Sequence, residues 1–143
     1  MQKIDALLRN GGTIEQVRPL LLEHFNKRLQ EHTEDLEYER TEFKEAQGRN
    51  PDVSDQSAYY ETLESLTTRM EGNTARIKMI RVVINRIERD SRWHECEECG
   101  MPILDRLLIG RPTTLCVSCQ EEKENARNRT RIQRHGHVAL AAE

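Results

Sequence analysis

Large apolar side chains recur every seven residues in two separate stretches of this chain, and that repeat leaves few folds open. In the first stretch Leu22, Leu29, Leu36 and Phe43 share one heptad position, with Phe25, His32, Glu39 and Ala46 at the complementary one. In the second, Leu63, Met70, Ile77 and Ile84 alternate with Leu66, Asn73, Ile80 and Ile87. A seven-residue repeat keeps one seam of a helix turned toward a partner helix, so each stretch predicts one arm of a coiled coil. Gly48, Arg49, Asn50 and Pro51 break the pattern between them, which predicts that the arms fold back as an antiparallel hairpin.

The numbering itself tests this, because residues in one layer of an antiparallel pair have numbers that add to a nearly constant total. Phe43 with Leu63, Leu36 with Met70, Leu29 with Ile77 and Leu22 with Ile84 meet that condition, and so do Glu39 with Leu66, His32 with Asn73 and Phe25 with Ile80. The polar seam residues His32 and Asn73 therefore fall in one layer. A hydrogen bond between them would fix the register, a commoner role for a lone seam histidine than acid–base chemistry.

Composition agrees with a rod. Only 4% of the 143 residues are aromatic, too few to fill a globular interior, while 33% are charged. The fold class expected is mainly α: a long antiparallel coiled-coil hairpin attached to a small four-cysteine zinc finger with a C-terminal helix. The divisions expected are a short helix over 1–12, the hairpin over 13–90 with its tip near 48–57, the zinc finger and terminal helix over 91–134, and a flexible tail over 135–143. Thr13 and Gln16 have the spacing of a capping box, while Pro19 either starts the first long helix or kinks it.

The formal charge of −3 argues against a general nucleic-acid binder. Residues 31–71 carry 12 acidic and 4 basic side chains, whereas 72–94 carry 6 basic and 2 acidic, so the far end of the hairpin is acidic and the near end of its second arm basic. No stretch approaches the roughly 20 apolar residues of a membrane span, and the N-terminus has no signal-peptide pattern, so a cytoplasmic protein is expected.

Cys96, Cys99, Cys116 and Cys119 form C-x2-C-x16-C-x2-C, the spacing of a four-thiolate zinc site. Four thiolates complete the tetrahedron and leave no position for water, so one Zn2+ is expected in a structural role. Ile103, Leu107, Leu108 and Leu115 are too few for an independent core, which leaves metal binding to supply much of this module's folding energy. Gly100 is expected to bring its backbone close enough to donate to a thiolate. A thiol redox pair is the rival reading, disfavoured by the lack of a βαβ pattern. After Cys119 the run Gln120–Gln133 predicts a polar terminal helix, and its arginines Arg127, Arg129, Arg131 and Arg134 would contact a phosphate or an acidic protein surface or, more commonly for such a run, simply be solvated.

Cys96-Glu97-Glu98-Cys99-Gly100, Ile103, Arg106-Leu107, Pro112 and Leu115-Cys116-Val117-Ser118-Cys119-Gln120, together with the preceding hairpin, resemble the DksA/TraR family of C4-type zinc finger proteins across nearly the whole chain. The resemblance implies a transcription regulator of the stringent-response type rather than an enzyme. It would be a monomer that binds RNA polymerase without contacting DNA or membrane and inserts its coiled-coil tip through the secondary channel. The family's tip motif is Asp-x-x-Asp-x-Ala. Asp52 and Asp55 match its aspartates, Ser57 stands at the alanine position, and Ala58 follows one place late.

The resemblance also extends to the alarmone ppGpp, with Arg76, Lys78, Arg81, Arg127 and Arg129 as its contacts or the polymerase's. On residue chemistry alone, Asp52 or Ser54 would serve simply to cap the second arm. The alternatives to a polymerase regulator are a zinc-dependent structural adaptor and a nucleic-acid-binding zinc ribbon. The segment 95–119 weakens the last of these, since it has no aromatic stacking group.

Overall fold

A computed structural model describes residues 1–140 of the chain. Five helices follow in order: α1 (Gln2–Arg9), α2 (Ile14–Gln47), α3 (Gln56–Arg89), α4 (Leu104–Leu108) and α5 (Val117–Leu140), with a 3-10 turn at Val53–Asp55 leading into α3. Helices α2 and α3 are the two heptad arms. At 1.5 Å per residue each 34-residue arm is about 51 Å long, and the two pack against each other as a hairpin. The expected fold class is the one observed.

Helix α2 begins at Ile14. The Gln16 side chain accepts a hydrogen bond from the Thr13 backbone at 2.9 Å, so the N-terminus is closed one turn before Pro19. Pro19 therefore lies inside the helix and does not open it, and its missing N–H leaves the Glu15 carbonyl without its usual intrahelical donor. Helix α5 differs more from expectation. It starts at Val117, so it includes Cys119, and it continues through Leu140, past the 135 boundary of the expected flexible tail. Residues 141–143 of that tail lie outside the described residues.

His32 Nδ1 lies 3.1 Å from Asn73 Oδ1, which places the arms in the register derived from the numbering. The seam is more polar than one such pair, however. Asn73 Nδ2 donates to both carboxylate oxygens of Glu39, each at 3.0 Å, and Arg69 approaches the same carboxylate at 3.6 Å. Glu39 and Asn73 are only 5% and 6% exposed, so a charged group sits inside the hairpin, compensated by one amide and one guanidinium. Removing the amide strands that charge. Asn73→Ala is expected to destabilise the protein by about 3 kcal/mol in urea unfolding, whereas the apolar pair Glu39→Leu, Asn73→Leu is expected to be neutral or stabilising.

Apolar packing is concentrated at the end of the hairpin away from the turn. There Ile4 of α1, Val17, Leu21 and Phe25 of α2, and Ile80, Val83, Ile84 and Ile87 of α3 join Trp93, Cys96, Ile103, Leu107 and Leu115 in one cluster. Because this base is covered on several sides, the buried stripe of α2 runs from the seam residue Phe25 to Leu21 and Val17, while the heptad residues Leu22 and Leu29 are only partly buried. Toward the turn the buried apolar residues of the arms reduce to Leu36, Ala46, Leu66 and Ile77. Among the described residues, no helix is long and apolar enough to cross a membrane.

Candidate metal centre and hairpin apex

The segment after α3 is built as two knuckles. Cys96 N–H donates to the Met101 carbonyl at 2.7 Å and Ile103 N–H to the His94 carbonyl at 2.9 Å, which closes a short hairpin around Cys96 and Cys99. Gly100 turns it with φ +75°, a value that side chains with a Cβ rarely adopt. Its N–H donates to the Cys96 carbonyl at 3.0 Å. Gly100's own N–H thus closes the turn, while the turn it permits brings the backbone N–H groups of Glu98 and Cys99 to the Cys96 thiol and that of Met101 to the Cys99 thiol. The second knuckle lies on the entry to α5, where Cys119 N–H points to Cys116 Sγ at 3.4 Å.

The four sulfurs of Cys96, Cys99, Cys116 and Cys119 all lie within 4.8 Å of one another. Cys99 and Cys116 Sγ are 3.6 Å apart, far beyond a disulfide bond and close to the roughly 3.8 Å edge of a tetrahedron with zinc–sulfur bonds near 2.3 Å. The thiols have unequal acidities. Burial pushes the Cys96 thiol up, but the backbone donors at Cys116, Cys99 and Glu98 outweigh it and bring its pKa down to about 6. Hydrogen bonding to Cys116 and desolvation hold the Cys119 thiol well above the usual range. Such a set shares protons until a cation displaces them, and its soft donors and tetrahedral spacing fit zinc. Zinc held by four thiolates has no open coordination position, so its contribution is structural.

Contacts invisible in the spacing hold the knuckles together and to the rod. Arg106 donates to the Leu115 carbonyl at 2.6 Å and to Gln120 Oε1 at 2.8 Å, and Lys123 lies 3.0 Å from Glu98 and 3.9 Å from Glu97 across the site. Lys123 is four residues after Cys119, one helical turn on, which sets it beside the metal centre once α5 has formed. Arg86 of α3 donates to the Thr114 and Arg92 carbonyls, and Arg28 of α2 donates to the Gly110 carbonyl. Gly110 has φ +82°, and a Cβ there would come within 3.3 Å of His24 Nε2, so this loop approaches α2 as only glycine permits.

At the other end, Asp52, Asp55 and Ser57 are all exposed around the turn and the start of α3. Asp52 and Asp55 occupy the residues before the 3-10 turn and before α3, yet neither side chain makes a cap hydrogen bond. The closing bond is between backbones, from Asp55 N–H to the Asp52 carbonyl at 2.9 Å. Capping by side chain, the simplest reading of these residues, is thus not what the structure shows. Among the described residues neither aspartate forms an ion pair.

Arg76, Lys78 and Arg81 are exposed on α3, and Arg127 and Arg129 are exposed on α5. Lys78 and Arg81, three apart, share a face of α3, from which Arg76 is turned away. Arg127 and Arg129, two apart, face different sides of α5.

No family model and no curated protein sequence matches the chain. Its fold is similar to that of transcription factor DksA2 from Pseudomonas aeruginosa, with a TM-score of 0.68 and 22% identity over 80% of this chain and 88% of that one. The molecule therefore has a DksA-like fold.

Proposed function

We propose that this chain is a cytoplasmic transcription regulator that binds RNA polymerase directly and passes the end of its hairpin through the secondary channel to modulate initiation. The observation that carries the reading is the pair of carboxylates at Asp52 and Asp55, exposed at the turn of a long helical hairpin and unused by the helix ends. The likeness of fold to a transcription factor supplies the context. A narrow rod can reach a centre closed to a globular protein, and two acidic groups at its end can meet a metal ion or basic side chains there. The metal module acts as the anchor, and no enzymatic step belongs to the chain itself. In this reading Arg76, Lys78, Arg81, Arg127 and Arg129 contact ppGpp or polymerase from the base.

The test compares wild type with the Asp52→Asn, Asp55→Asn variant for binding to core polymerase and for output from purified transcription. Binding should be kept and the effect on output should fall by at least about tenfold, the equivalent of roughly 1.4 kcal/mol at the site of action. Absence of wild-type binding at micromolar concentration and low salt would overturn the reading. Unchanged regulation by the variant would instead leave a structural adaptor, with the aspartates replaceable.

A further inference from the structure

Near its apex the hairpin leaves a groove between its arms. The lining includes the buried Ala46 of α2 and Leu66 of α3, together with the short side chains of Ala58, Thr62 and Ser65. A seam position filled by alanine and flanked by short residues leaves open the space that a leucine would close. The groove continues to the apex, because a second hollow shares Ala46, Arg49, Ala58 and Thr62 with it and is lined by Asp52 and Asp55. Glu42, Glu45 and Glu61 edge the first part. Among the described residues none of these five carboxylates forms an ion pair. Arg49 and Arg69 also line the groove, but Arg69 is drawn to the buried Glu39 carboxylate at 3.6 Å, which sets Arg49 alone against the five acids. Tyr38 extends the same face away from the apex. It lies one heptad before Glu45 and beside Glu42, whose carboxylate holds its phenol above the usual pKa by hydrogen bonding, and the residue is 64% exposed.

We infer that this groove seats a basic amphipathic helix of RNA polymerase, which lies along the outer half of the hairpin as a third helix; the inference rests on the function proposed above. Unpaired acids repel the phosphates of nucleic acid, whereas lysines and arginines on the flanks of a helix meet them as the e and g charges of a coiled coil meet their partners. A groove between two antiparallel helices has the shape that a further helix fills in a bundle. The short residues of its lining let that helix approach closely and limit its apolar face to a narrow stripe. From Ala58 to Arg69 the groove follows α3 for about 17 Å, which is about three turns of a partner helix. Tyr38 is the aromatic anchor of the contact: a large ring left in water has no part in the hairpin's own packing, and tyrosine is enriched where proteins meet. The groove thus sets affinity, while Asp52 and Asp55 at its end act on output.

The test titrates core RNA polymerase into labelled full-length zinc-loaded protein, with binding read by fluorescence anisotropy at about 50 mM and about 300 mM salt. Glu42→Gln, Glu45→Gln, Glu61→Gln should raise Kd at least about fivefold at the lower salt, and the gap should narrow at the higher one. Tyr38→Ala should cost about fivefold at both. The charge-matched variant Glu34→Gln, Glu37→Gln, Glu64→Gln alters exposed side chains outside the groove and should bind like wild type. All variants should keep wild-type helicity by circular dichroism. A benzophenone amino acid placed at position 38 should crosslink to a polymerase helix rich in Lys and Arg. If wild type binds and the two triple variants behave alike, or if the crosslink maps to an acidic or irregular segment, the groove is not the docking surface and the function proposed above stands without it. No wild-type binding overturns that function, and this inference with it.

Discussion

Cys96→Ser, or removal of the metal from reduced protein by a strong chelator, is expected to unfold the segment from Trp93 to the start of α5 while leaving most of the hairpin helical. Cys96 is the most buried ligand, 3% exposed, and lies within the core cluster shared with Phe25, Ile80 and Ile87. The module's own apolar content is small: Ile103, Leu107 and Leu115 are its principal buried side chains beside Trp93. Backbone bonds such as Glu97 N–H to the Thr114 carbonyl at 3.0 Å join the two knuckles, but they cannot replace a cation as the centre that ties the four sulfurs together. Structural zinc contributes on the order of 10–16 kcal/mol of apparent binding free energy, more than this module can recover from packing. Trp93 should then become solvated, with a red shift of its emission, while far-ultraviolet circular dichroism falls only modestly. Emission that stays blue after complete metal loss would show that packing alone holds the module.

Trp93→Ala is the second large effect expected. Trp93 is 1% exposed and stands at the junction where α1, α2, α3 and the metal module share one core, with the Arg18 guanidinium 5.9 Å from its ring centre. Truncation should cost about 3–5 kcal/mol, the usual range for a buried Trp or Phe. The indole Nε1 has no hydrogen-bond partner among the described residues, so the loss is one of packing and not of a hydrogen bond. Trp93→Phe should cost much less, because it keeps a ring and removes an orphaned donor. Urea unfolding followed by circular dichroism measures both. If alanine separates the single transition into two, the ring is what couples the rod to the metal module; a cost under about 1 kcal/mol would show that the junction closes over the gap.

The hairpin and the metal ligands are legible in the amino-acid sequence. Heptad spacing and C-x2-C pairs are local signals, each set by one helix turn or one tight turn, and the His32–Asn73 contact at 3.1 Å follows from residue numbers alone. The extent of α5 is less legible, because Gly136 reads as a breaker when only its neighbours are considered, and the helix continues through it to Leu140. Heptad position puts Glu39 on the seam, but its bond to Asn73 does not follow from that position, since a carboxylate there is tolerated only with a partner reaching across from the opposite arm.

By itself, then, the chain's order of residues determined the rod, its register and the four thiols, since periodicity acts along the backbone and needs no distant contact. Tertiary structure alone decided that Trp93 closes a core common to rod and module, that Lys123 and Arg106 brace the knuckles, and that the Asp52 and Asp55 carboxylates are left out of the helix ends. Those outcomes depend on which side chains arrive next to one another after the chain has folded back, and separation in space is not written in separation along the sequence.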